Sequence, residues 1–390
     1  MRDPINFRVN LSIRLVLIIL LFLLSQCKKD YIQDSVTPSI TLGSQNDVSL
    51  ATSVISVPYD VSKSLPANFV KNGTKDYTTY LQSALNKYTN IVFPAFPILV
   101  NATGLKILSN TTITFLAGSK LLLVPNNLPN YSVIRIYNVS NVVLNNPVII
   151  GDRYAHSSID GQWGQGITIS GSKNIILNAP NITNCWGDGI YLSSIDTLNN
   201  HNITINNAYC RSNRRNGISV TSAVGLTLES PYAGYSDGSP PSAGIDFEAE
   251  SSADQLQKIV INNARTEYNT GNGITMGFRS LFGGRNKFIG FQLNNCMDKG
   301  SAIGLNATAT LTRRVGNETV TGDIKVINPY WRKNTNTPLA TNLLVTTIRL
   351  NVVNPIVQDI TGQQLTDAQA LAIFTYKTHI NRTANYTITF

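Results

Sequence analysis

The chain has 390 residues, of which 42% are apolar and 14% are charged, so it is long enough to bury a sizeable core. Its richness in Asn, Thr, Ser and Ile favours an all-β fold. The formal net charge of +9 favours a polyanionic partner or an anionic surface. The sequence contains no nucleic-acid-binding motif, which favours an acidic polysaccharide over nucleic acid, and no Cys/His spacing typical of a metal-binding cluster.

The N-terminal 27 residues have the pattern of an export signal. Three arginines precede an apolar run from Leu15 to Leu24, which is too short to span a bilayer. The sequence that follows resembles a bacterial lipoprotein signal ending at Cys27, so we expect a lipid anchor there, with a simple secretory signal as the alternative. Residues 28–56 are polar and are expected to be a tether. The expected location is the cell envelope, anchored in the outer membrane or at the cell surface, or otherwise secreted.

The first regular element of the domain, which we place at residues 57–390, is a helix over Asp76–Tyr88. Asp76 is the expected N-cap, and Tyr77, Tyr80 and Leu81 begin an apolar face with helical spacing. Because this helix comes directly before the first strands, it is expected to cover the apolar end of a repeat structure.

A short repeated sequence then recurs along the chain; it is a Gly-Ile pair followed by alternating polar and apolar residues, and it is here called a Gly-Ile line. Strict alternation of apolar and polar residues in each line predicts a strand with one buried face. Successive lines begin at Gly189, Gly217, Gly244 and Gly273, at spacings of 28, 27 and 29 residues. A period of this length predicts stacked coils with parallel sheets, and Cys185, Cys210 and Cys296 are expected to be buried, unpaired thiols. The asparagines expected to form ladders at the corners are Asn181, Asn184, Asn213, Asn216, Asn269 and Asn272. The helix expected over Thr366–Lys377 and a last strand, Tyr386–Phe390, end the domain.

These features resemble the pectate-lyase-like superfamily. The resemblance rests on the segment Asp76–Val124, the Gly-Asp-Gly-Ile line at 187–190, Asn216-Gly217-Ile218 and the Gly-Ile-Asp-Phe-Glu line from Gly244, and it covers residues 60–390. It implies an all-β, single-stranded right-handed parallel β-helix. The catalytic phrases of polygalacturonases and the Asp-Pro-His-Glu phrase of alginate epimerases are missing from the sequence. The resemblance therefore implies a fold that hosts many activities.

One Gly-Ile line differs from the others because its outward positions are acidic. Asp246 and Glu248 are two residues apart, so their Cα atoms are expected to lie roughly 6.6 Å apart on one face, with Glu250 next to them. Crowded carboxyls raise one another's pKa, which suits a general acid and base in glycoside hydrolysis. The alternatives are Ca²⁺ ligands in a lyase, in which an Arg or Lys is the base, or acids that bond to turn amides of a neighbouring coil.

Outward residues of the neighbouring coils predict a groove that binds sugars by stacking and hydrogen bonds. Asp188 is a third catalytic candidate, and His156 is expected at the surface. The expected substrate-binding residues are Arg135, Tyr137, Trp163, Tyr191, Ser219, Glu250 and Arg279. We expect a monomeric enzyme that cleaves an acidic polysaccharide in this groove by hydrolysis, with no cofactor and no nucleic-acid partner. A lyase that uses Ca²⁺ is the alternative, and a glycan-binding surface protein is the third.

Overall fold

The computed structural model describes residues 57–283, 287–309, 319–343, 346–378 and 385–390. The expected signal with Cys27 and the expected tether lie outside these residues. None of the helices in the described ranges has the length and apolar character needed to cross a membrane.

Strands in the described ranges form three sheets of 12, 10 and 9 strands, here named sheet 1, sheet 2 and sheet 3. Sheet 1 contains Tyr59–Asp60, Asn90–Phe93, Thr111–Phe115, Ser140–Asn145, Lys173–Asn178, Asn200–Asn206, Ala223–Glu229, Leu256–Asn262, Lys287–Asn294, Val320–Ile327, Thr347–Val353 and Tyr386–Thr389. Sheet 2 contains Pro97–Val100, Lys120–Leu123, Val148–Ile150, Asn181–Thr183, Tyr209–Arg211, Tyr232–Gly234, Arg265–Glu267, Met297–Lys299, Tyr330–Arg332 and Ile356–Gln358. Sheet 3 contains Leu105–Lys106, Asn130–Tyr137, Trp163–Ser170, Ile190–Ser193, Ile218–Val220, Ile245–Glu248, Asn272–Gly277, Ile303–Thr308 and Thr337–Asn342.

Each full coil gives one strand to each sheet, and the coils stack in parallel, which confirms the expected right-handed parallel β-helix. The Gly-Ile lines lie side by side in sheet 3, where Ile190 pairs with Ile218, Ile218 with Ile245 and Ile245 with Ile274. These four side chains are buried inside the solenoid. Because side chains alternate along a strand, the residue after each isoleucine faces away from that core. This register brings residues from coils about 30 positions apart into one row.

The N-terminal helix spans Thr78–Leu85 and is shorter than expected. Asp76 precedes it and accepts a hydrogen bond from Thr78 N at 2.8 Å. Leu81 and Leu85 are buried, as the amphipathic pattern predicts, but Tyr80 is exposed, so its place on the buried face was wrong. The other helices of the described ranges are Asp367–Thr378 and two short 3-10 helices at Val61–Ser64 and Arg279–Leu281.

Asparagine ladders occur at the corners, although at other positions than expected. Asn110, Asn141, Asn174 and Asn202 all have left-handed backbone, and their side-chain amides bond from coil to coil at 2.8, 3.0 and 3.3 Å. The expected corner residue Asn213 instead accepts a hydrogen bond from the backbone N of Cys185 at 2.9 Å. The expectation for Cys185, Cys210 and Cys296 is confirmed, since all three are free and buried.

Candidate active site on the outer face of sheet 3

The acidic strand Ile245–Glu248 occupies the expected register. Asp246 lies between Ser219 of the preceding coil and Thr275 of the next, and Glu248 lies beside Gly277. A Cβ atom at Gly277 would approach the Cγ atom of Glu248 to 3.2 Å, so glycine leaves room for this side chain. Both acids therefore point away from the core on one face of sheet 3, as the alternation predicts.

The two acids differ in their exposure, which corrects the expectation that both are open to solvent. Glu248 is exposed, whereas Asp246 is only 2% exposed. Oδ2 of Asp246 accepts a hydrogen bond from Nδ2 of Asn216 at 3.2 Å, and Oδ1 is buried without a partner among the described residues. Burial, and then the nearby Glu248, raise the pKa of Asp246 to about 8, against the opposing effect of Arg215. This rise favours the protonated form of Asp246 at neutral pH.

Asp188 lies just before the strand Ile190–Ser193 and forms a buried ion pair. Its Oδ2 accepts a hydrogen bond from Nη1 of Arg215 at 2.9 Å, and its Oδ1 accepts one from the backbone N of Asn216 at 3.0 Å. Burial raises the pKa of Asp188 above its ordinary value, and Arg215 limits the rise. Because its side chain is fully buried and both oxygens have partners, Asp188 is built to hold the following turn in place.

Arg215 and Asn216 are site residues that the sequence reasoning missed. Asn216 joins the acids, because its backbone N contacts Asp188 while its Nδ2 donates to Ser219 Oγ at 2.9 Å and to Asp246. The available signal was their place in the turn just before a Gly-Ile line, at the same register as Asp188 one coil earlier. The sequence interpretation had assigned Asn216 to a corner ladder and to the Asn216-Gly217-Ile218 phrase, and it had given Asn216 no part in the site.

The hydroxyl of Ser219 is unavailable to a substrate in this structure. Ser219 is 1% exposed and accepts the hydrogen bond from Asn216. Its predicted place in the row is confirmed by its register with Tyr191 and Asp246, but its expected exposure was wrong.

A hydrogen bond connects Glu250 with Tyr191, which lies two coils earlier. The Tyr191 hydroxyl donates a hydrogen bond to Oε1 of Glu250 at 2.6 Å, and burial, together with this carboxylate, raises the pKa of Tyr191 above its ordinary value. Asp254 fixes the turn at Glu250, because its Oδ2 accepts hydrogen bonds from the backbone N atoms of Glu250 and Ser251 at 3.0 and 2.8 Å. The bridge therefore crosses the Ser219 strand and ends beside the acidic strand.

An open groove of about 540 Å³ lies next to this bridge, toward the N-terminal coils. Tyr137, Trp163, Tyr191 and Glu250 line it together with the hydroxyls of Thr168 and Ser170. Trp163 is the first residue of its strand and is 43% exposed, so its ring is available for stacking. The structure thus brings three of the expected sugar-binding aromatic residues into one segment of the groove.

The two expected arginines lie away from this centre. The guanidinium of Arg135 donates from Nη2 to the carbonyl oxygen of Thr103, one coil toward the N-terminus. Arg279 lies in the short helix Arg279–Leu281, is exposed, and its side chain has no hydrogen bond or ion pair with any described residue. Within the described ranges, no group of three His, Cys, Asp or Glu side chains is arranged to hold a metal ion.

The expectation of a surface His156 was wrong. Its side chain is fully buried, stacks on Trp186 with ring centroids 4.1 Å apart, and pairs through Nδ1 with Oδ2 of Asp152 at 2.9 Å. Tyr131 donates its hydroxyl hydrogen bond to the other oxygen of Asp152. These contacts fasten the loop before Trp163 to the solenoid, because a loop side chain stacked on a core aromatic residue is removed from water.

No protein-family model matches the chain. Two curated relatives from Bacillus subtilis are the uncharacterized protein YclG, 27% identical over 237 residues, and the SPbeta prophage-derived uncharacterized protein YorA, 30% identical over 162 residues. The matched stretches cover 53% and 37% of this chain but only 41% and 28% of those relatives.

Solved structures with the same architecture include three of distinct kinds. The A-module of mannuronan C-5 epimerase AlgE6 from Azotobacter vinelandii is 14% identical with a TM-score of 0.53, over 79% of this chain and 83% of its own. Gene product 12 of bacteriophage phi29 is 14% identical with a TM-score of 0.54, over 78% and 46%. An iota-carrageenase complexed to iota-carrageenan fragments is 12% identical with a TM-score of 0.50, over 82% and 79%. The chain is a right-handed parallel β-helix protein. At these identities the likeness shows the fold of the β-helix, and its chemistry has to be argued from its own side chains.

Proposed function

We propose that this β-helix protein is a carbohydrate-active enzyme that cleaves a polysaccharide bound along the outer face of sheet 3. The observation that carries the proposal is the different surroundings of two acids on one strand: Asp246 is buried, which raises its pKa to about 8, and Glu248, two residues away, is exposed. Glycoside hydrolysis needs two carboxyl groups in different protonation states, and different environments are the usual means of producing them. Two structural neighbours support a polysaccharide substrate by their names: one is a mannuronan C-5 epimerase, and the other is an iota-carrageenase complexed to iota-carrageenan fragments.

In this proposal Asp246 is the general acid. Its Oδ1, which is without a partner, presents the carboxyl proton toward the glycosidic oxygen as the bond to the leaving sugar breaks. Glu248 either removes a proton from an attacking water or attacks the sugar itself, according to the separation of the two carboxyl groups in the complex. The hydrogen bond between Tyr191 and Glu250 has to open for the substrate to reach Asp246.

Asp188, Arg215 and Asn216 are positioning residues in this proposal. The ion pair between Asp188 and Arg215 fixes the turn that carries Asn216, and Asn216 orients Asp246 through Oδ2. Trp163, Tyr137 and Tyr191 supply faces on which sugar rings stack. Export, a prediction from the N-terminal residues, would bring the groove to extracellular polysaccharides.

The test is incubation with a panel of neutral, uronate and sulfated polysaccharides. We expect new reducing ends without the ultraviolet absorbance of an unsaturated uronate, and activity that survives removal of Ca²⁺ by a chelator. Absorbance that rises in step with cleavage and is lost on chelation would replace hydrolysis with the calcium-assisted lyase. Binding with neither signal would contradict catalysis and leave a glycan-binding protein.

A further inference from the structure

A second pocket, of about 500 Å³, lies at the N-terminal end of sheet 3. Side chains of the helix Thr78–Leu85 line one part of it, and residues of the first two sheet 3 strands line the other. Its charged lining residues are Lys106 and Arg135, and no Asp or Glu lines it. The groove beside Trp163 carries the opposite charge, because the charged residue that lines it is Glu250. The two pockets therefore offer opposite charges to a ligand on the same face.

The cations of this pocket have no carboxylate partner among the described residues. Arg135 donates from Nη2 to the carbonyl oxygen of Thr103, and its Nε is buried without a hydrogen-bond partner. Lys106 is exposed and forms no ion pair in the described ranges. Four other arginines of the described chain each pair with an acid; these are Arg153, Arg215, Arg265 and Arg349. A buried donor without a partner is costly unless a ligand satisfies it.

The pocket is also held in a fixed shape. Gln82 of the helix accepts a hydrogen bond from the backbone N of Lys106 at 2.7 Å and donates one to its carbonyl oxygen at 3.0 Å. Asp76, the acid at the start of the helix, is occupied by Thr78 and by Nδ2 of Asn101 at 2.6 Å. A site whose backbone is fixed before binding loses less conformational entropy on binding.

Register places this pocket in line with the acidic centre. Lys106 pairs with Arg135, and the row continues through Thr168, Tyr191 and Ser219 to Asp246. Arg135 is thus four strand spacings from Asp246, or roughly 19 Å. A single extended polysaccharide lying along the row can reach both ends.

We propose that Lys106 and Arg135 form an anion-binding subsite for carboxylate or sulfate groups of the polysaccharide. Charge-assisted hydrogen bonds from ammonium and guanidinium groups suit both anions. This proposal rests on the proposed function, because the distance of the subsite from the cleavage point assumes that Asp246 is the catalytic acid. It deepens that function, because the subsite would select anionic polysaccharides over neutral ones. It engages the substrate at a distance from Asp246, so it contributes to binding rather than to the chemical step.

The first test measures binding by calorimetry at low salt. The probes are oligogalacturonate, iota-carrageenan oligosaccharides and neutral xylo-oligosaccharides of matched length. We expect Lys106→Gln and Arg135→Gln to weaken binding of the uronate or the sulfated probe about tenfold, and the probe affected identifies the anion. Lys120→Gln, the same change at an exposed lysine of sheet 2, should have no effect. Unchanged affinity in the folded Lys106→Gln variant, or an equal loss for the neutral probe, overturns the subsite.

The second test uses substrate length. With long anionic chains, Lys106→Gln should raise KM about tenfold and leave kcat unchanged, whereas chains too short to span roughly 19 Å should show no difference. If anionic probes lose affinity in Lys106→Gln but wild-type protein cleaves nothing, the subsite stands and the proposed catalysis fails. If wild-type protein cleaves long chains and Lys106→Gln does so with the same KM, the subsite fails and the catalysis stands.

Discussion

Asp246 on sheet 3 and Asp298 on sheet 2 are equally buried, at 2% exposure, but their surroundings differ. Asp298 accepts hydrogen bonds from Thr266 and Ser301, each at 2.7 Å, and from Asn334 at 2.6 Å. Asp246 accepts one bond, at 3.2 Å, and keeps one oxygen without a partner in the described chain. Burial raises both pKa values, but three donors hold that of Asp298 to about 6 whereas that of Asp246 reaches about 8.

The comparison separates two uses of a buried acid in one solenoid. Asp298 and Asp254 have hydrogen-bond partners on both oxygens, including residues of other coils, which is a structural use of the kind expected as an alternative for the acidic line. Asp246 accepts no hydrogen bond from a backbone amide of the described residues, so its carboxyl group does not fasten a turn. A buried polar atom without a partner calls for an explanation, and proton donation to a substrate supplies one.

The largest expected difference between the two regions is in turnover. Asp246→Asn and Glu248→Gln should each lower kcat by about 10²–10⁴-fold, because each removes a proton-transfer group or nucleophile. The measurement is release of reducing ends from the best polysaccharide of the panel. Asp196→Asn, the same change at an exposed acid, is the matched control and should keep full activity. Full activity in a folded Asp246→Asn variant would place the active centre elsewhere.

For the free energy of unfolding, we expect the opposite order of effects: substitution of Asp298 destabilises the protein, and substitution of Asp246 does not. Asp298→Ala should lower the free energy of unfolding by about 1–3 kcal/mol, because three buried donors lose their acceptor. Its turnover per folded molecule should be kept, since Asp298 lies on another sheet. Urea unfolding at neutral pH measures the effect. An Asp298→Ala variant as stable as the wild type would remove the distinction drawn between the two acids.

Asp246→Asn should instead stabilise the protein as pH rises. The pKa of Asp246 is raised from 3.8 to about 8 in the fold, so above pH 4 the unfolded chain gains by ionising this group while the folded chain does not. Wild-type stability is therefore lost between pH 4 and about pH 8, and the Asn variant escapes that loss. Unfolding of both proteins at pH 4, 6 and 8 should show a difference that widens with pH; a constant difference would contradict it.

The smallest expected effect is the fall in turnover as the pH rises past the pKa of Asp246. Because Asp246 must be protonated to act as the acid, turnover should halve near pH 8 and then fall about tenfold per unit. Glu248 is the second cause of the raised pKa, so Glu248→Gln should lower the pKa of Asp246. Carbon-13 NMR titration of the carboxyl groups measures this directly. A pKa that does not move would show that burial alone sets it.

The sequence predicted the fold and the order of residues along the row. Alternation in the Gly-Ile lines and their regular spacing are local properties, so they set which side chains face the core and which strands stack. The same pattern placed Asp246 and Glu248 on one face beside Ser219 and Thr275, as the register confirms.

Only the tertiary structure decided how deeply each outward side chain is buried and which partner it meets. The alternation of apolar and polar residues shows which side of the strand a side chain faces, but it does not show how much of that side chain is exposed. The burial of Asp246 and Ser219 therefore could not be inferred. The pairs Asp188–Arg215 and Tyr191–Glu250 join residues 27 and 59 positions apart, and turn shapes set their distances. His156 was misjudged for the same reason, because its stacking partner Trp186 comes from the following coil. Arg135 has an outward position in its strand, but its long side chain reaches the carbonyl oxygen of Thr103, and this acceptor could not be inferred from the alternation.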